Sequence, residues 1–439
     1  MMRYILMLLG ILVMAACGEH AEKGEVVLSP QMERVRDSVD TYFTKLTELQ
    51  QFNGVLLVYK NDTLLLNKAY NLKMSPNSTS YVAPDYQFDI HSISKLMAHY
   101  LLAQLELEGK LSKNQTLNQF IPDFPKGDEI TLNMLLEHRS GLPRELVGFE
   151  GQEYQLEPED IVELSKQQTF LFEPGTDAQY SNVGYELICH IISQTYGKPF
   201  AQCLVDEIFK PLGMDSSGAH FFVEEHNIHQ MAQNHMLKDG ELVTVDNIQK
   251  DEFRTARIFS TAEDLKIFLD HIKQEPIASF LTNEEGVIAK DGGSKGIRAQ
   301  VYTDLKNHFD FVLLANYDEM PFFDAIDDMA KMLKSQPVAF PQEINRKAIA
   351  VEPEVLEPYA GFYTFADFDG LVLEVRVANG KLVLFQEGEQ VGELQAESPT
   401  VFFEDPKAAE SFEFVPNDSG SYNALMGWKG IVVEGKRNP

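Results

Sequence analysis

Residues 93–107 constrain the fold more than any other stretch of the 439-residue chain. After Lys95, "LMAHYLLAQLEL" breaks its apolar run only at His99 and Gln104 before the acidic end. A helix that is apolar on nearly every face must be covered on all sides, so it belongs at the centre of a core. Gly109 supplies a natural stop just past its end. Lys95 stands one turn after Ser92, at the mouth of this segment. A buried ammonium is costly unless it is paired or used, and the pair therefore marks the helix start as a place where chemistry is expected.

The chain is too long for one ordinary core, and its pattern divides. Residues 31–50 read as an amphipathic helix, and "NGVLLVYKNDTLLLNKAYNL" as a hairpin turning at Lys60-Asn61-Asp62. Helices and long loops occupy 130–215, with another helix at 261–273. "IRAQVYTD" and "FDFVLLANYD" read as a second antiparallel pair. Strands at both ends with helices between predict an α+β fold, an antiparallel sheet covered by helices plus an all-helical part. A proline-bearing stretch without a period marks a linker at 339–351. Beyond it, 352–439 is all β, with Asn379-Gly380 as the strongest hairpin signal. The expected division is a core unit at 31–338 and a small β-barrel-like domain at 352–439.

The N-terminus reads as an export signal. Arg3 precedes the apolar run "ILMLLGILVM", too short to span a bilayer and fitting for the centre of a signal peptide. Met14-Ala15-Ala16-Cys17 resembles the lipobox of bacterial lipoproteins, which would make lipidated Cys17 the first residue of the mature chain and residues 18–30 a tether. An ordinary signal peptide cleaved near Ala16 is the alternative. Either way the protein is expected outside the cytoplasm, facing periplasm or cell exterior. Cys189 and Cys203 fall in helical patterns; they could pair in an oxidising compartment, and buried free thiols are the expected state. A formal net charge of −30 with no basic stripe argues against nucleic acid as a partner.

Ser92-Ile93-Ser94-Lys95 is the only S-x-x-K in the chain. Residues three apart on a helix share a face, so the Ser92 hydroxyl and the Lys95 ammonium can meet. A helix N-terminus favours negative charge, and burial lowers a lysine pKa, which suits nucleophile and base. Tyr180-Ser181-Asn182 comes after "FEPGT", a loop able to present side chains into a cleft, and Lys290-Asp291-Gly292 with Gly293 borders a strand where backbone can approach a substrate. Tyr59-Lys60-Asn61 and Lys238-Asp239-Gly240 repeat two of these patterns, but at turns. Gly292-Gly293-Ser294-Lys295-Gly296 matches the α/β-hydrolase elbow, yet the residues after Gly296 read as strand rather than helix. His220, His226, His229 and His235 have no compact ligand spacing and read as a polar surface loop, so no metal is expected.

The three motifs in this order resemble the signature of serine β-lactamases and penicillin-binding proteins, on the class C branch with its D-amino-acid peptidases and esterases. The resemblance runs from Phe52 to Tyr317 and includes "ITLNMLLEHRSGLP", "IFKPLGM" and "STAEDL". It implies Ser92 as nucleophile, Lys95 and Tyr180 as shared base, and an oxyanion hole from the backbone of Ser92 and Gly293. Asn182 would hold Lys95 and the substrate amide, and Lys290, Asp291 and Gly292 would line the substrate. His138 in "EHRSGL" would be structural, and the β domain resembles the lipocalin-like domains often appended to this family. The reaction implied is acyl transfer from an amide, ester or lactam carbonyl of a small molecule or short peptide, without a cofactor. A tethered binding or sensor protein with slow turnover is the alternative. His91, Arg257 and a short segment between Lys273 and Lys290 depart from the family pattern and bear on substrate choice.

Overall fold

The computed structural model describes residues 28–438 except 74–79, 149–155, 157, 220–228, 239, 246–257, 369 and 429–430. The export segment with Cys17, and His220, His226 and Arg257, lie outside the described residues. Among those described, no helix is long and apolar enough to cross a membrane.

A five-stranded antiparallel sheet forms the frame, in the order 63–70, 54–60, 309–315, 297–304, 287–294. Side chains alternate across a strand, and here both faces are buried. Val55, Leu57, Val301, Val312 and Leu314 face the helical side, whereas Leu56, Val58, Phe309, Phe311 and Leu313 face the other. This is why the strands read as unbroken apolar runs.

The second face is covered by the helices Pro30–Glu48 and Phe322–Leu333. The first of these is started by Ser29, whose hydroxyl accepts from the Met32 N–H at 3.3 Å, with Pro30 in the first turn. The serine helix, Ile93–Leu107, lies on the first face against the helix Asn182–Tyr196. Leu96 to Leu105 are buried in it except for His99 and Gln104, and it ends at Gly109, in the left-handed conformation at φ 69°.

C-terminal to the sheet, strands between Gly361 and Arg437 close into an eight-stranded antiparallel barrel. Asn379 and Gly380 both take positive φ, 52° and 74°, as the tight hairpin turn between 371–378 and 381–386 requires. The barrel interior is filled with rings: Tyr359 stacks on Phe414 at 4.4 Å, with Tyr363 and Phe402 edge-on to Phe414. Leu356, from the short helix Pro353–Leu356, is buried in the same cluster. Residues 346–351, which showed no period, lie along the barrel: Ile349 pairs with Ala396, and Arg346 donates to the Ala409 carbonyl at 2.7 Å.

Candidate active site

The serine is presented by a kink. Phe88–Asp89 is a short strand paired to Ile258–Ser260, and the chain then turns sharply at His91, whose φ of 43° is unusual for a residue with a side chain. The His91 N–H donates to Asp89 Oδ1 at 3.3 Å, and its buried ring lies 3.5 Å from the same carboxylate. Ser92 then occupies the N-cap of the serine helix but makes no side-chain capping bond. Its hydroxyl is turned elsewhere.

It meets Tyr180. Ser92 Oγ and Tyr180 Oη are 2.7 Å apart, and Lys95 Nζ donates to Ser92 Oγ at 3.3 Å. Lys95 is 6% exposed and stands 5.1 Å from the Tyr180 ring centre and 5.6 Å from that of Tyr185. Lys290 Nζ and the Arg144 guanidinium lie over the same Tyr180 ring, at 5.4 and 5.2 Å. Burial pushes the phenol of Tyr180 up, but Lys95 and Lys290, with hydrogen bonds from Lys95 and Ser92, outweigh it and hold the pKa below its ordinary value. Charge is therefore drawn to the oxygen that touches the serine.

Lys290, Asp291, Gly292 and Gly293 lie on the edge strand Val287–Ser294, beside the start of the serine helix. Lys290 Nζ is 3.4 Å from Asp291 Oδ1. The end of this strand is clipped by Arg298, which pairs in register with Gly293 and donates to the carbonyls of Ser294 at 2.9 Å and Ile297 at 2.7 Å.

Asn182 opens the helix that Ser181 caps through its bond from the Gly184 N–H at 3.0 Å. Asn182 is 4% exposed and donates Nδ2 to Glu145 Oε1 at 2.5 Å, while its Oδ1 has no hydrogen-bond partner among the described residues. The bond from Lys95 that the family pattern implies would end on this Oδ1, which accepts none.

His138, at φ 57°, accepts the Ser181 N–H on Nδ1 at 3.0 Å and lies 4.4 Å from the Tyr180 ring. Burial, with Lys290 and Lys95 nearby, lowers its pKa to about 4, so the ring is neutral and suited to accept that bond. It props the loop that carries Tyr180. Glu145 and Arg144 were not singled out by sequence pattern; the loop "SGLPRE" adjoining His138 was the available signal.

The competing motifs fall elsewhere. Ser294 ends a strand and is succeeded by another, Ile297–Asp304, so the strand–turn–helix of an elbow is not formed. Lys60 donates to the Leu333 carbonyl at the hairpin end of the sheet. His235 departs from the surface-loop reading: it is 2% exposed, in the strand Asn234–Lys238, whose backbone packs on the turn at Gly296. The run was too short and polar to show that a neighbouring turn would cover it. Cys189 and Cys203 are buried free thiols. Asp62, Asp270 and Asp310 bring carboxylate oxygens within 4.8 Å of one another. Lys273 already reaches all three, at 3.3, 2.7 and 3.0 Å, supplying the positive charge a metal would bring.

Comparison with known proteins shows the family and the fold. The family model described as Beta-lactamase matches residues 39–294. The chain is 23% identical over 424 residues to penicillin-binding protein 4* of Bacillus subtilis (strain 168), covering 84% of this chain and 91% of that protein. It is 28% identical over 169 residues to the putative penicillin-binding protein PbpX of the same organism, spanning 38% of this chain and 41% of that one. With the teichoic acid D-alanine hydrolase of Staphylococcus aureus (strain MRSA252) it shares 24% identity over 259 residues, 57% of this chain and 62% of the relative. Among solved structures, SurE superposes with a TM-score of 0.59 at 19% identity, over 92% of this chain and 99% of that one. The D-amino acid amidase of Ochrobactrum anthropi SV3 gives 0.57 at 20% identity, over 68% of this chain and 99% of its own. At these identities the superpositions show the fold.

Proposed function

Because the chain belongs to the beta-lactamase family, whose members are serine hydrolases, we propose that it hydrolyses an amide, ester or lactam through an acyl-enzyme on Ser92. The observation that carries this reading is the contact of 2.7 Å between Ser92 Oγ and a Tyr180 hydroxyl flanked by two ammonium groups. In its phenolate form Tyr180 takes the serine proton as Oγ attacks the carbonyl carbon. Lys95, bonded to both oxygens, stabilises the phenolate and relays the proton toward the leaving group. The leaving alcohol or amine departs protonated, and water, deprotonated by the same pair, releases the acid. Backbone N–H groups of Ser92 and Gly293 are assigned to the developing oxyanion. Lys290, Asp291, Gly292 and Asn182 line the substrate. The names of the D-alanine hydrolase and D-amino acid amidase relatives favour D-amino-acid derivatives as the acyl part.

The finer placement is part of the same proposal: class C-like chemistry in a unit at 31–338, on an exported chain anchored through lipidated Cys17. Intact-mass analysis after a fluorophosphonate or penicillin probe tests the chemistry. One adduct on Ser92, lost in Ser92→Ala, supports it; an adduct on Ser294 overturns it. Burst kinetics separate turnover from the sensor alternative, which would stop after one equivalent. Fractionation of Cys17→Ala tests the anchor: release from the membrane fraction supports it, and unchanged fractionation refutes it.

A further inference from the structure

His91 is a buried side chain next to the nucleophile, and the Ser92–Lys95–Tyr180 chemistry gives it no task. Its backbone stands in the left-handed region, at φ 43°, where a residue with a side chain is strained and glycine is not. Strain of this kind persists only where the surroundings over-determine the residue, and it gathers at functional sites. The surroundings here are specific. Asp89 sits on the short strand Phe88–Asp89 in register with Phe259, and the Ile90 N–H extends that tie by donating to the Ile258 carbonyl at 3.1 Å. From this anchor one carboxylate oxygen, Asp89 Oδ1, accepts the His91 N–H at 3.3 Å and faces ring Nε2 at 3.5 Å. The His91 and Asp89 side chains are 1% and 0% exposed, so the contact is little screened. On the other side, the His91 carbonyl accepts the Ser94 N–H at 3.0 Å, which ties it to the first turn of the serine helix.

A glycine would take the same φ without strain, so the backbone alone does not account for the ring. Nor does a substrate, because a side chain buried to this degree offers it no surface. What remains is the turn. The carboxylate grips His91 at its N–H and at its ring, and the residue so gripped is joined directly to Ser92. A rotation there would swing Ser92 Oγ away from Tyr180 Oη, 2.7 Å distant, and carry the Ser92 N–H with it. We propose that His91 is a positioning residue: clamped by Asp89, it holds the turn that aims the Ser92 hydroxyl at its base, and it acts through Ser92 rather than on the substrate. This rests on the acyl-enzyme reading of Ser92.

The test reads the rate constant of fluorophosphonate labelling at Ser92, with the labelled fraction from intact mass and urea unfolding alongside. It compares wild type, His91→Gly, Asp89→Asn and the double variant. His91→Gly leaves the turn accessible and removes the ring; labelling should slow by ~100-fold, the loss expected when a reacting group drifts by about an ångström. Asp89→Asn keeps the size and the acceptor for the His91 N–H but removes the charge, and labelling should slow by ~10-fold. Both variants should still label to one equivalent and unfold cooperatively, which separates a misaimed serine from a lost fold. Because the pair works as a unit, the double variant should be no slower than His91→Gly. Labelling at the wild-type rate in either single variant, losses that multiply in the double variant, or slowing matched by an incomplete end point overturns the proposal. If His91→Gly does not unfold cooperatively, the isosteric Asp89→Asn decides alone. Wild type keeps the two readings apart: no labelling of it sinks the acyl-enzyme reading, whereas labelling that ignores both substitutions sinks only the role of His91.

Discussion

A β-carbon placed on Gly292 would stand 2.2 Å from the carbonyl oxygen of Ile90 and 3.1 Å from the amide nitrogen of Ser92. The edge strand and the serine turn therefore touch through bare backbone, and the requirement for glycine here is one of space.

Gly292→Ala should accordingly push the edge strand away from the turn that presents Ser92. A displacement near one ångström at reacting groups costs on the order of 100-fold in rate. The expected outcome is that loss in kcat/KM with the barrel still folded, read by steady-state kinetics and circular dichroism. Full activity in the variant would show that Gly292 does not set the gap.

Lys290 bears on the pH profile. In the proposed mechanism Tyr180 acts as base in its phenolate form, so activity should rise with pH through its pKa. Lys290 is one of the charges that favour the phenolate. Lys290→Gln should move this acidic limb of kcat/KM to higher pH, by about one unit. A limb that stays in place, or moves down, would remove Lys290 from the tuning of Tyr180.

His138 bears on stability. Its pKa is lowered to about 4 in the fold, against 6.5 in its absence. Between those values the unfolded chain binds a proton that the folded chain does not, so stability present above pH 6.5 is lost as pH falls toward 4. The share from His138 is at most about 3 kcal/mol. His138→Gln should flatten the decline of the urea midpoint between about pH 7 and about pH 4.5. His99, lowered to about 4 as well, leaves part of the slope in place. An unchanged slope would mean that His138 is protonated in the fold at little cost.

The barrel should be separable from the chemistry. Val338 and Phe340 pack on the face of the sheet away from Ser92, while Arg346 and Ile349 are bound to the barrel. A chain ending near residue 343 cuts between these two sets, and Ser92 in it should still take a fluorophosphonate. Cooperative folding without labelling would place part of the site in the barrel.

Much of this was legible in the sequence because it is local or periodic. The central helix shows in its apolar run, and Ser92 and Lys95 share a face by helical spacing. The Asn379-Gly380 turn shows in its dipeptide. Glu145 was not legible: its partner Asn182 is 37 positions away, and nothing in "SGLPRE" says which residue will meet which. The burial of His235 was hidden for a similar reason, since it depends on a turn at Gly296 supplied by another part of the chain. Residues 346–351 lacked a period because their order comes from the barrel they lie on.

The ring-filled barrel has a consequence for what the C-terminal unit can be asked to do. Tyr359, Tyr363, Phe402 and Phe414 pack ring on ring inside it and tie its strands together. Its strands also close on themselves, so no edge is left to recruit a strand from a neighbouring molecule. Crowded side by side, many copies could press against one another through these units without seeding a shared sheet. The barrel meets its neighbours as a closed cylinder.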